Sequence, residues 1–182
     1  EGRAPEMWKS HYWGSQRECR FLSRLWSYPK LDDLCDSTKV RHRKKPWLRG
    51  QGIIKGNCSE PGWWTYEDWY VKATALPKLC LLESHCTKLE DTNDLGMHAQ
   101  RPREKALFEG PKVLISEGTE NLKTAFCSHR VLFKDSLVSI AGPASDEDAL
   151  RFLTLVLGSN IMRFYLFHVS SNWGIYRPEI LL

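Results

Sequence analysis

The stretch from Pro111 to Val169 constrains the fold most, because short apolar segments are followed in it by two helical patterns. KVLIS, TAFCS, VLF and LVSIA have the length and composition of buried strands, with polar or turn-like residues between them. Ser145 precedes acidic residues and then apolar residues at helical spacing, which predicts a helix with Ser145 as its N-cap. SNIMRFYLFHV predicts a second, strongly apolar helix.

A further helix is predicted near the start of the chain. SQRE, from Ser15 to Glu18, is a capping box, and apolar residues from Phe21 to Trp26 then share one helical face before Pro29. PKLDDLC indicates a second, shorter helical turn. Helices, then strands, then helices favour an α+β fold with a mixed or antiparallel sheet, flanking helices and long basic loops.

The 182 residues are expected to form one domain, residues 1–182. An alternative division separates a helical, loop-rich part, residues 1–110, from a strand-then-helix part, residues 111–182. The chain starts with Glu1 rather than Met and ends on apolar residues, which we interpret as signs of a fragment of a longer chain. No apolar run reaches the roughly 18 residues that cross a bilayer, so no membrane partner is expected.

Cysteine and histidine spacing gives only a weak metal signal. The six cysteines form no C-x-x-C pair, and we expect reduced, mostly buried thiols. A zinc site from Cys80, His85, Cys86 and His98 stays open as an alternative, although its spacing matches no familiar pattern. Phosphate-binding, dinucleotide-binding, metalloprotease and hydrolase motifs are missing from the sequence, so no catalytic, cofactor-binding or metal residue is predicted.

The strongest local signal is positive charge. Residues 39–55 hold seven Lys or Arg and no Asp or Glu, in a chain whose net charge is +4. Such side chains neutralise phosphates, Arg and Gln can read base edges, and glycines on both sides of Gln51 permit close backbone approach. A solvated surface loop is the competing interpretation. The residues predicted to contact DNA are Arg41, Arg43, Lys44, Lys45, Arg49, Gln51, Arg101 and Arg103, with Arg49 and Gln51 as the candidates for selectivity.

The final third of the chain also carries a resemblance. GPKVLISEG, AFCSHRVLFKDSLVSIAG and DEDALRFLTLVLGSNIMRFYLFHVSSNWGIYRPEI resemble, in this order, the C-terminal target-recognition region of bacterial adenine-N6 DNA methyltransferases. The group is the type II and fused restriction–modification enzymes, with a TaqI-like specificity domain. HYWGSQRECRFLSRL is similar to the helix that opens that region, and RGQGI is similar to a glycine-rich step that follows it. The matching positions are Pro111, Val113, Leu114, Ile115, Ile140, Gly142, Leu157, Ser159, Ser170, Trp173, Gly174 and Arg177.

The resemblance implies a sequence-specific recognition domain for double-stranded DNA in the bacterial cytoplasm. The [N/D/S]-P-P-[Y/F/W] loop and the S-adenosylmethionine motif of these enzymes are not in this sequence. By the resemblance, methyl transfer and S-adenosylmethionine belong to a separate N-terminal methyltransferase domain of the same protein, and this chain itself needs no cofactor. The resemblance is weakest between Pro61 and Glu109.

Two other functions stay open from the sequence. Trp63, Trp64 and Trp69 are candidates for a Trp-rich surface that would make the chain a protein-interaction or scaffold module. The zinc alternative would make it a small metal-dependent enzyme.

Overall fold

A computed structural model of the chain describes residues 12, 14–39, 42–56, 60–116 and 122–169. Its helices are α1 (Gln16–Trp26), α2 (Leu31–Leu34), α3 (Glu147–Leu157) and α4 (Asn160–Val169). Its strands are β1 (Cys35–Ser37), β2 (Trp47–Gln51), β3 (Glu60–Pro61), β4 (Trp69–Tyr70), β5 (Leu79–Cys80), β6 (Thr87–Lys88), β7 (His98–Ala99), β8 (Lys112–Ser116), β9 (Thr124–Cys127) and β10 (Leu137–Ala141).

The central element is a mixed sheet. Within the described ranges it has six strands in the order β1-β2-β10-β8-β9-β5. β10 pairs antiparallel with β2 and β8, and β8 pairs antiparallel with β9, whereas β1 and β5 join parallel at the two edges. The predicted α+β class with a mixed sheet is therefore confirmed. Strands from both sides of residue 110 share this sheet.

Both faces of the sheet are covered. Along β8 the side chains alternate: Val113 and Ile115 pack with α3 and α4, while Leu114 joins a core formed with the segments between residues 53 and 108 and with residues 131–133. All five residues of β8 and of β10 are buried. Burial on both faces explains why these strands read in the sequence as continuous apolar runs rather than as alternating ones.

The capping box of α1 is confirmed. The Glu18 backbone N–H donates to Ser15 Oγ at 3.3 Å, and the Ser15 backbone N–H donates to Glu18 Oε2 at 2.6 Å. The bond from the Ser15 backbone N–H, first among the causes, lowers the pKa of the Glu18 carboxyl, because it stabilises the charged form. The helix ends at Trp26, ahead of Pro29.

The predicted cap of α3 is wrong by one residue. Ser145 lies in a short 3-10 turn, Ala144–Asp146, and Asp146 is the N-cap, although its side chain caps no backbone N–H. The Asp146 carboxylate instead accepts from Trp47 Nε1 at 2.9 Å and from Ser145 Oγ at 2.9 Å. The Asp146 carboxylate, which could otherwise cap the helix, is instead bound by Trp47 of β2.

VLF, at Val131 to Phe133, is not the strand that its composition predicts. Leu132 forms only an isolated bridge to Tyr70, and all three side chains are fully buried beneath the sheet. A short apolar run signals burial, and burial alone does not decide between a strand and an irregular core segment.

Among the described residues, no single helix is long and apolar enough to cross a membrane. Within the described ranges, one bent pair, Ala144–Leu157 with Asn160–His168, reaches that length and composition, and its helices meet at 64°.

Candidate nucleic-acid interface

Two basic segments that are distant in the sequence lie side by side in the fold. The Ile54 backbone N–H donates to the Arg101 carbonyl at 3.2 Å, and the Gln100 N–H donates to the Ile54 carbonyl at 3.1 Å. Arg43 forms an ion pair with Glu104. The predicted loop at residues 39–55 and the predicted second patch at residues 101–105 therefore form one surface. We call Arg43, Lys44, Arg101 and Arg103 the basic face.

Arg103 is fixed at the centre of this arrangement. Its Nε donates to the Gly52 carbonyl at 3.2 Å, and its own carbonyl accepts from Trp63 Nε1 at 3.0 Å. Its φ of 66° lies in the left-handed region, where a side chain costs on the order of 1 kcal/mol. Burial first, and the Arg101 charge second, lower the pKa of Arg103, because both disfavour its charged form. Arg101 and Arg103 bring positive charge to this part of the surface, and the negative charge of Asp135 partly offsets it at Arg103.

Asp36 holds the loop that carries Arg43 and Lys44. Its Oδ2 accepts from the backbone N–H groups of Lys44 at 2.6 Å and Lys45 at 2.9 Å. These backbone bonds, led by the one from Lys45, lower the pKa of the Asp36 carboxyl. The side chains of Arg43 and Lys44 are exposed above this clamp, so the loop presents them at a defined place.

Lys45 and Arg49 differ from the other predicted contacts because both turn toward Asp32. Lys45 Nζ donates to the backbone carbonyls of Asp32 and Cys35. Arg49 Nη1 forms an ion pair with Asp32 Oδ1 at 2.7 Å, and the Arg49 side chain is only 26% exposed. Arg49 also lines a cavity against α4 on the helix-covered face of the sheet. The structure therefore does not bring Lys45 and Arg49 together with the basic face.

The glycines beside Gln51 have a packing role that the sequence did not indicate. A Cβ at Gly52 would lie 2.5 Å from the Phe133 carbonyl oxygen and 2.4 Å from that of Lys134, and one at Gly50 would meet Leu107 Cδ1 at 2.7 Å. The close approach that these glycines allow is to the protein's own core, so our interpretation of it as an approach to a partner is wrong. Gln51 itself is exposed at the end of β2, next to the Gly52 carbonyl that Arg103 binds.

Some predicted positions lie outside the described residues. They are Arg41 of the basic loop, and Ser170, Trp173, Gly174 and Arg177 of the C-terminal pattern.

The tryptophans proposed as an interaction surface belong largely to the core. Trp64 is 2% exposed, and its Nε1 donates to the Gly96 carbonyl at 2.9 Å. Trp63 packs against Phe108 with ring centroids 5.1 Å apart, and Trp69 is half-buried with Lys88 Nζ over its ring at 3.9 Å. Trp64 is therefore not available for docking, and Trp63 and Trp69 expose only part of their side chains.

The residues of the zinc alternative do not assemble. In the part of the chain that the structure describes, no group of three or more His, Cys, Asp or Glu side chains is placed to hold a metal ion. The described cysteines are free thiols, of which Cys35 and Cys127 are buried and Cys80 is exposed. The expectation of mostly buried thiols therefore holds for only some of them.

Sequence reasoning missed the residues that organise the basic face. Asp36 clamps one loop, Trp63 anchors the other, and Glu104 supplies the counter-charge to Arg43. An isolated acid and one Trp among eight carry no periodic signal, because their roles arise from contacts between distant segments.

No protein-family model and no curated protein matches this chain.

Proposed function

We propose that this chain binds double-stranded DNA through the basic face. The observation that carries the proposal is the convergence of the two basic segments, tied together by the backbone pairing of Ile54 with Arg101. Lys and Arg on one surface neutralise phosphates and release counterions, which gives affinity that does not depend on sequence.

The ion pair between Arg43 and Glu104 can be replaced by a contact with a phosphate. The Arg43–Glu104 pair is exposed on both sides, with side-chain exposures of 38% and 41%. Exposed pairs contribute little to stability, on the order of 0–1 kcal/mol, so a phosphate can replace Glu104 as the partner of Arg43. Arg101 and Lys44 are exposed as well.

Selectivity is the finer part of the proposal. We assign Gln51 as a candidate base reader, because it is exposed beside the segment that Arg103 binds, and an amide side chain can pair with adenine in two places. Target recognition for an adenine-N6 methyltransferase of a bacterial restriction–modification system, in the cytoplasm, rests on the sequence resemblance. In this assignment a separate domain of the same protein binds S-adenosylmethionine and transfers the methyl group to a flipped adenine.

The experiment is a titration of labelled duplex DNA with the purified chain at about 50 and about 200 mM salt, followed by selection from a randomised duplex pool. Binding that weakens steeply as the salt concentration rises supports contacts between the basic face and DNA phosphates. An enriched sequence supports recognition. Lack of binding at the lower salt concentration would contradict the proposal.

A further inference from the structure

A cavity of about 390 Å³ lies between α1, the segment that follows it, β2 and the two C-terminal helices. Most of its lining is apolar, with Leu25 from α1, Leu153 and Val156 from α3, and Met162 and Leu166 from α4. Cavities of this size with an apolar lining and a few polar groups are typical of small-molecule sites.

One buried donor in this lining has no hydrogen-bond partner among the described residues. Trp26 contributes to the cavity wall, and its Nε1–H is buried without a hydrogen-bond acceptor in the described part of the chain. A buried polar group that is left unpaired costs free energy, and native structures nearly always satisfy such groups. Among the described residues nothing accepts from this indole N–H, so it is open to an acceptor atom of a bound molecule.

The charged groups of the lining favour an anion. Lys30 and Arg49 contribute two positive charges, and Asp32 contributes one negative charge. Arg49 is bound to Asp32 through Nη1 at 2.7 Å, but the Asp32 side chain is 67% exposed. A guanidinium can bind two carboxylate groups at once, or exchange an exposed partner for another one.

We propose that this cavity binds a small amphipathic carboxylate. Its alkyl part lies among the leucines, Val156 and Met162, and its carboxylate faces Arg49 and Lys30. The apolar part gains affinity from the area removed from water, and the charged end selects a carboxylate over an amine of the same length. This site is independent of the DNA-binding proposal, because it lies on the helix-covered face of the sheet.

The test uses octanoate, with octylamine as the probe of opposite charge and butyrate as the short-chain probe. Calorimetric titration of the chain should show saturable binding of octanoate and much weaker binding of the other two. In a proton–nitrogen NMR spectrum, the indole resonance that Trp26→Phe removes should shift with octanoate. The calorimetric readout needs no variant in the cavity to fold.

Two variants on α3 locate the site. Val156→Phe fills the cavity, whereas Leu155→Phe places the same ring on a neighbouring, exposed position outside the lining. Val156→Phe and Arg49→Met should each weaken octanoate binding by about tenfold or more, while Leu155→Phe leaves it unchanged. Circular dichroism checks that each variant is folded.

Three results would each overturn the proposal. They are the lack of saturable octanoate binding, equal binding of octylamine, and an equal loss in Val156→Phe and Leu155→Phe.

Discussion

Arg103 donates from Nε to the carbonyl oxygen of Gly52 at 3.2 Å, and this bond joins the two basic segments of the chain. Gly52 in turn packs against the backbone of Phe133 and Lys134. The candidate DNA-binding surface is thus anchored on the core beneath the sheet. Its geometry depends on that packing as much as on its charges.

Glu104 forms an ion pair with Arg43, one of the four cations of the basic face. Glu104→Gln should raise the affinity for duplex DNA by about two- to fivefold, because it removes a repulsion and frees Arg43. The gain should shrink as salt rises, since exposed charges are screened. The measurement is a DNA titration at several salt concentrations.

Glu83→Gln is the matched control, since Glu83 follows β5 at the opposite edge of the sheet. It should leave the affinity unchanged. A loss of affinity in Glu104→Gln would mean that this acid organises the surface rather than competing with DNA.

Gly52→Ala should lower the free energy of unfolding by about 1–3 kcal/mol, because the added methyl group overlaps two backbone carbonyls. Gly96→Ala provides the comparison, since a Cβ there meets nothing within 4 Å. Urea denaturation followed by fluorescence measures both. Equal stabilities of the two variants would show that Gly52 is not packed as described.

Lys112 carries a prediction about pH. It is fully buried, and its Nζ donates to the carbonyls of Phe108 at 2.9 Å and His129 at 2.6 Å. Burial lowers its pKa from the ordinary value of 10.5 to about 8. The unfolded chain therefore binds more protons at this residue between about pH 8 and pH 10.5, so Lys112 makes the free energy of unfolding rise with pH across that window.

Lys112→Met removes this titration. The difference in unfolding free energy, wild type minus variant, should grow from pH 7.5 to pH 10.5 by on the order of 3 kcal/mol. Urea denaturation at the two pH values under reducing conditions measures it, and the subtraction cancels most of the effect of other groups. A difference that stays constant would show that the lysine titrates normally in the folded chain.

Local signals in the sequence predicted local structure well. The capping box of Ser15 and Glu18 fixed the start of α1, and continuous apolar runs located β8, β9 and β10. These elements depend on neighbouring residues and on burial, both of which a sequence displays.

Contacts between distant segments were the limit of prediction. The carboxylate of Asp146 accepts a hydrogen bond from Trp47 rather than capping α3. Arg49 forms an ion pair with Asp32 and so does not join the basic face. The charge run at residues 39–55 showed that cations are concentrated, but Arg49 on β2 lies on the helix-covered face of the sheet, whereas Arg43 lies against Glu104. Only the pairing of β2 with β10 and the packing of residues 100–104 decide which cations share a surface.

The most direct test of DNA binding compares the salt dependence of duplex binding in three chains: wild type, the double variant Lys44→Gln with Arg101→Gln, and Lys78→Gln. Lys78 is exposed beside β5, at the opposite edge of the sheet from the basic face. The account predicts that the double variant flattens the slope of log K against log salt by about one unit for each lost contact, while Lys78→Gln leaves the slope unchanged. Equal slopes in all three chains would contradict it.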